Sequence, residues 1–161
     1  MTRVLHVLFV LACAFLIAPI AVQAQPWTGA GGTGVVDESS LGIYQIDEAT
    51  IGYNASGSTS PIVAYYNVTD TSGTGNPPWT NLELQYFDNF PDSSVRATLI
   101  RILGGVKSTV VICTSVDSTA TVTCPLGAPI SFNSGAFYVL SVRISRSSTS
   151  STPIFRGVRL Y

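Results

Sequence analysis

From Phe137 to Ser145 the chain reads FYVLSVRIS, with Tyr138, Leu140, Val142 and Ile144 on one parity and Ser141, Arg143 and Ser145 on the other. Side chains alternate across a strand, so this segment is a half-buried strand with one wet face. The same period recurs along the chain. Ile43–Ile46 and Ile51–Tyr53 are short β segments, and Pro61–Thr69 (PIVAYYNVT) is rich in β-branched and aromatic residues. Strands are predicted at Leu82–Phe87, Val95–Leu103 and Ile154–Leu160, with turns and loops at 70–80, 88–92 and 146–152. The 70–80 stretch (DTSGTGNPPWT) holds Gly, Asn and two prolines, which do not sustain a ladder.

Two hairpins are predicted. Gly104-Gly105 supplies the positive φ values of a tight turn and should pair Leu103 with Val106. Thr109–Ser115 and Thr121–Cys124 flank Asp117-Ser118-Thr119, and a turn at Ser118-Thr119 sets Cys113 opposite Cys124 on adjacent strands. No segment past the N-terminus has a helical period. About eight to ten short strands with regular turn signals predict an all-β fold, an antiparallel β-sandwich of jelly-roll or immunoglobulin-like kind.

The N-terminus follows a different pattern. Met1-Thr2-Arg3 precedes a largely apolar run from Val4 to Val22, which closes on Val22-Gln23-Ala24. A positive start, an apolar stretch and a small-x-small ending predict a secretory signal peptide over 1–24. Pro19 and the Ala-rich end argue against a retained membrane anchor. Gln25–Gly34 (QPWTGAGGTG) is expected to be a flexible Gly-rich lead, and 35–161 a single β-sandwich domain. The protein is thus expected to be secreted, periplasmic or on the extracellular surface. The leader has a bacterial look, which discounts the sequons at Asn54 and Asn67.

Composition narrows the chemistry. After Ala24 two cysteines remain, Cys113 and Cys124, and in an exported chain such a pair is expected to form a disulfide. The single histidine, His6, lies in the leader. Ser-His-Asp and Cys-His arrangements and His-ligated metals are therefore excluded from the rest. Two cysteines without histidine do not make a closed zinc set. The glycines of GAGGTG lack the Lys-Ser/Thr ending of a phosphate loop.

Carboxylate chemistry survives, since glycoside hydrolysis needs two facing acids. The candidates are Asp37, Glu38, Asp47, Glu48, Glu83, Asp88 and Asp92, although Glu83 between Leu82 and Leu84 is more simply a water-facing residue. The chain calls for no cofactor. Calcium is the metal with candidate ligands, Asp88, Asn89 and Asp92 in one turn, residues that are also ordinary turn formers. Trp79, after two prolines in an apparently exposed loop, and Tyr86 are candidates for stacking on a ligand. Their bland role is as core or loop anchors.

Charge is sorted along the chain. Beyond the leader every acid but Asp117 lies between Asp37 and Asp92, and every base lies between Arg96 and Arg159. The parity of Arg143, Arg156 and Arg159 prevents one continuous basic stripe, so complementarity between the halves within the fold is favoured over pairing between molecules. Seven bases and nine acids give a net charge of −2, which predicts no nucleic-acid partner. No membrane span is expected after signal cleavage. The resulting expectation is an exported, non-catalytic β-sandwich domain with a structural, assembly or surface-interaction role. Its partners would be a protein or glycan at the cell surface, or further copies of itself. The alternatives are a carbohydrate-binding module and, less favoured, a small glycosidase.

Overall fold

The computed structural model describes residues 25–161. The signal peptide expected over 1–24 lies outside them. The described chain forms eleven strands: β1 (Trp27–Ala30), β2 (Val35–Val36), β3 (Tyr44–Asp47), β4 (Thr50–Tyr53), β5 (Ile62–Val68), β6 (Asn81–Asp88), β7 (Ser93–Leu103), β8 (Val106–Thr114), β9 (Ser118–Pro125), β10 (Phe137–Arg146) and β11 (Ile154–Leu160). They form two antiparallel sheets. One has the order β3-β4-β11-β6-β9, with β1 also on β11, and the other β2-β5-β10-β7-β8. Of the two sandwich topologies expected, this is the jelly roll. The quartets β4-β11-β6-β9 and β5-β10-β7-β8 are filled by a chain that mostly switches sheets from one strand to the next.

The alternation seen in sequence builds the core. Leu140, Val142 and Ile144 of β10 and Ile62, Ala64 and Tyr66 of β5 turn inward from the five-stranded sheet. Leu82, Leu84 and Tyr86 of β6 and Phe155, Val158 and Leu160 of β11 meet them from the other. The Gly104-Gly105 turn pairs Leu103 with Val106 as expected, and both glycines have positive φ (57° and 80°).

The Gly-rich segment is not a lead. Trp27–Ala30 pairs antiparallel with Gly157–Leu160, and Trp27 is buried. The glycines that follow are there for close approach rather than flexibility. A Cβ on Gly34 would lie 2.4 Å from the Tyr66 ring, and one on Gly31 would lie 2.6 Å from the Phe155 carbonyl oxygen. The Tyr66 hydroxyl donates to the Gly31 carbonyl. Burial pushes that hydroxyl far above the ordinary phenol range, with the Gly34 backbone acting in the opposite sense.

The second predicted hairpin is also corrected. Cys113 and Cys124 are bonded, with Cα atoms 5.7 Å apart. However, β8 and β9 do not pair: β8 is the edge of one sheet and β9 the edge of the other. The disulfide therefore ties the two sheets together along one open side of the sandwich. Residues 115–117 form an arch between layers, not a turn within one. Ser115 holds it, because its amide donates to the Val95 carbonyl (2.8 Å) and its hydroxyl to the Asp88 carboxylate of β6.

Two measurements check these contacts. Gly34→Ala should force the Tyr66 ring aside and destabilise the domain by about 1–3 kcal/mol, the usual range for overpacking. The urea midpoint should fall accordingly, and an unchanged midpoint would contradict the close approach. The Cys113→Ser, Cys124→Ser double variant should lose about 2–3 kcal/mol, from the loop-closure entropy of an 11-residue separation. Thermal unfolding with and without reductant should show the same loss in the wild type and none in the variant.

Candidate functional site

The residues singled out in the sequence as ligand contacts are structural. Trp79 is buried, not exposed; its Nε1 donates to the Gln25 carbonyl (3.1 Å), and its ring meets Phe132 edge-on at 6.5 Å. Tyr86 is fully buried, and its hydroxyl accepts from the Val116 amide at 3.2 Å. Tyr86 and Asp88 thus hold the same arch, at Val116 and Ser115 respectively.

The calcium candidates do not gather as a ligand set. Asp88 is buried and accepts from the hydroxyls of Ser93 and Ser115. Asp92 accepts from the Ser151 hydroxyl, which ties its turn to the 146–152 loop. Asp88 and Asp92 are thus drawn to separate serines. Among the described residues no group of three or more His, Cys, Asp or Glu side chains is placed to hold a metal. Glu83 does face away from the core, but it pairs with Arg159 at 3.0 Å rather than standing free in water. That ion pair joins the acidic and basic halves within the fold.

What remains open is the outer face of the five-stranded sheet. Strand register fixes its rows. Val35, Tyr65, Ser141, Thr98 and Ile112 share one row across β2, β5, β10, β7 and β8. Asn67, Val139, Ile100 and Thr109 form the next row toward one end, and Phe137 lies beyond them opposite Ile102. Phe137 is 71% exposed and Tyr65 40%. Tyr65 and Tyr66 point to opposite sides, as their adjacency requires, so one is platform and the other core. The face thus mixes exposed rings and aliphatic side chains with hydroxyl and amide groups.

At the Phe137 end the face opens into a groove of about 370 Å³, lined by Asn67, Thr69, Asp70, Phe132, Ala136 and Phe137 among others. Its size falls in the range of small-ligand sites. The Asp70 carboxylate shapes its wall. One oxygen accepts from the Ser72 amide (2.8 Å), the Ser72 hydroxyl (2.6 Å) and the Gly73 amide (3.2 Å), and the other from the Gly75 amide (2.6 Å). The Gly75 carbonyl in turn accepts from the Phe132 amide at 2.6 Å. The Ser72 hydroxyl holds the Asp70 carboxyl below the usual carboxylate range; burial opposes it, and the backbone amides of Gly75, Ser72 and Gly73 act with the hydroxyl.

Two local features of the chain mark this face. The wet parity of 137–145 begins on Phe137, an aromatic where a hydroxyl would suffice, and Tyr65 must be outward if Tyr66 is core.

No family model and no curated protein matches the sequence. Solved structures are similar in fold. One is the CBM36-1 domain of a multidomain xylanase from the hindgut metagenome of Trinervitermes trinervoides: TM-score 0.48, 8% identity, 85% of this chain and 97% of that one. A second is the carbohydrate-binding module CBM36 in complex with calcium and xylotriose: TM-score 0.46, 10% identity, 84% and 99%. A third is a family two carbohydrate esterase from Cellvibrio japonicus: TM-score 0.40, 11% identity, 84% of this chain and 33% of that one. The chain therefore spans about a third of the esterase's length. No helix among the described residues is long and apolar enough to cross a membrane.

The groove should respond to acid through Asp70. Its folded pKa is lowered, so its stabilising effect is complete above the unfolded value of about 3.9 and is lost as pH falls through the folded one. Amide exchange at Gly73 and Gly75, corrected for intrinsic rates, should be slow and flat above about pH 5 and rise only in the acid range. In Asp70→Asn the protection should be reduced at neutral pH and no longer respond to acid. Equal protection in the variant would show that the loop holds without the carboxylate.

Proposed function

We propose that this domain is an exported, non-catalytic glycan-binding module, and that the outer face of the five-stranded sheet is its binding surface. The observation that supports this best is the placement of Tyr65 and Phe137. They are exposed rings on one sheet face, about 14 Å apart along it from the Phe137 row to the Ser141 row that Tyr65 shares, at about 3.4 Å per residue. A sugar ring has an apolar face of C–H groups and a rim of hydroxyls. The first packs on aromatic and aliphatic side chains such as Tyr65, Phe137, Val139 and Ile112. The second hydrogen-bonds to groups of the kind found at Asn67, Ser141 and Thr98. An extended chain of such rings matches an extended, open face better than a closed pocket does.

The carboxylates support a non-catalytic reading. Glu83, Asp88, Asp92, Asp70 and Asp37 are each engaged by an arginine, hydroxyls or backbone amides of the protein itself. Such acids are fixed in place as struts, whereas a glycosidase needs two of them facing a substrate. The disulfide fits an oxidising, extracytoplasmic setting.

Retention on immobilised polysaccharides tests the reading. Tyr65→Ala and Phe137→Ala should each weaken binding about tenfold, as truncation of a ring at the centre of an interface does. Both should leave the melting temperature nearly unchanged, because these rings lie outside the core. No reducing sugar should appear on incubation. Retention untouched by both variants, or lost only with core variants, would reject this face. Ready self-association at low salt with no glycan retained would favour the assembly role instead.

A further inference from the structure

The outer face of the five-stranded sheet carries charge that the fold does not require. Arg143 of β10 lies directly opposite Arg96 of β7, and both side chains are exposed. Like charges on cross-strand neighbours oppose folding. No strand of this sheet contains an Asp or Glu, although five of the seven basic residues after Ala24 lie on its strands: Arg96, Arg101, Lys107, Arg143 and Arg146. Two of these have inward parity at the ends of the sandwich. Arg146 is buried, with its guanidinium donating to the carbonyls of Ser58 and Ser151 and lying 3.9 Å from the Tyr53 ring centre. Arg101 sits opposite Tyr138. Arg96 and Arg143 have no such structural duty.

Among the described residues neither Arg96 nor Arg143 forms an ion pair; the ion pair is Glu83–Arg159, on the other sheet. The nearest acid by register is Asp37, whose amide donates to the Val63 carbonyl on β5, two strands from Arg143. The Asp37 carboxylate already accepts from the Ser39 amide (2.9 Å) and hydroxyl (2.5 Å). Arg143 donates through Nε to the Ser145 hydroxyl at 3.3 Å, a contact that leaves its terminal nitrogens for other acceptors. One row along the face stand Tyr65, Ser141 and Thr98.

We propose that Arg96 and Arg143 form an oxyanion subsite, and that the glycan bound on this face is anionic, with a carboxylate or sulfate group on a sugar ring seated between the two guanidiniums while a neighbouring ring packs on Tyr65. This rests on the glycan-binding reading above. Planar guanidinium forks match the paired oxygens of a carboxylate or sulfate, and a bound oxyanion turns the repulsion between the arginines into joint attraction. The pair is then a feature kept against folding for the sake of the ligand.

Affinity electrophoresis of the whole chain through gels containing polygalacturonate, a sulfated galactan, neutral galactan or polyglutamate tests this. The wild type should be retarded by one or both acidic polysaccharides at least about tenfold more strongly than by neutral galactan or polyglutamate. Which acidic gel retards it distinguishes carboxylate from sulfate. Arg96→Gln and Arg143→Gln should each remove most of that preference and the double variant all of it. The double variant should melt no lower than the wild type, because a repulsion has been removed. Retardation should weaken from about 0.1 M to about 1 M salt, as the screening length falls from about 10 Å to about 3 Å. Neutral galactan bound as strongly as the acidic gels, with loss in Tyr65→Ala, would overturn the oxyanion subsite and leave the glycan reading standing. Retardation by polyglutamate equal to that by the acidic glycans would also overturn it, since charge alone would then suffice. Retardation by no polysaccharide would overturn both.

Discussion

Everything in this sandwich depends on the last two strands. β10 is flanked by β5 and β7 in one sheet, and β11 by β4, β1 and β6 in the other. Neither sheet has a centre until residues 137–160 arrive. The inward side chains of β11, Phe155, Val158 and Leu160, meet those of strands laid down far earlier in sequence. Hydrophobic burial on this plan is almost entirely non-local, and its closure entropy precedes its reward. The arch at 115–117, pinned through Ser115 to Asp88 and Val95, and the Cys113–Cys124 bond fasten the side of the sandwich where both edge strands are exposed. These polar and covalent ties act between the two edge strands, at the margin rather than in the middle.

The legible parts of the fold were those whose information is local. β10 shows a clean alternation, and the observed strand, Phe137–Arg146, extends the expected one by a single residue. Gly104-Gly105 requires positive φ whatever surrounds it, so its hairpin could be read directly. What could not be read depends on partners distant in sequence. Gly31 and Gly34 look like linker glycines until Phe155 and Tyr66 are placed against them. The disulfide was legible as a bond but not as a connection between sheets, because equal distance from a turn is satisfied by a hairpin and by an arch alike. Trp79 shows the same limit: two preceding prolines signal a loop, and only Gln25 and Phe132 make that loop an interior one.

The candidate site was illegible for a related reason. A binding residue on a strand differs from a core residue only by parity, and in Tyr65-Tyr66 sequence leaves open which of the two is which. The choice is made by Gly34, which leaves room for the Tyr66 ring, and by the Gly31 carbonyl, which accepts from its hydroxyl. Tyr65 is outward as a consequence of a packing decision on the opposite face. Conversely, Trp79, Tyr86, Asp88 and Asp92 attracted attention by residue type, and each turned out to be consumed by the structure. Ligand-competent chemistry is common in sequence. Chemistry left unconsumed after folding is rarer, and it is what marks a surface as functional.

The sorted charges illustrate that distinction. Along the chain they form an acidic stretch followed by a basic one, which invites a picture of two complementary halves. The jelly roll interleaves those halves, so their meeting is confined to pairs such as Glu83 with Arg159. Folding converts the order in sequence into a difference between sheets. The strands of one sheet include Asp47, Glu83 and Asp88, and those of the other have bases and no acids. Strand alternation then divides the bases again, sending Arg101 and Arg146 to the inner parity and Arg96, Lys107 and Arg143 to the outer. A net charge of −2 is therefore compatible with one locally positive face. It is that local field, with a Debye length of about 8 Å at physiological salt, that a ligand on the sheet would meet.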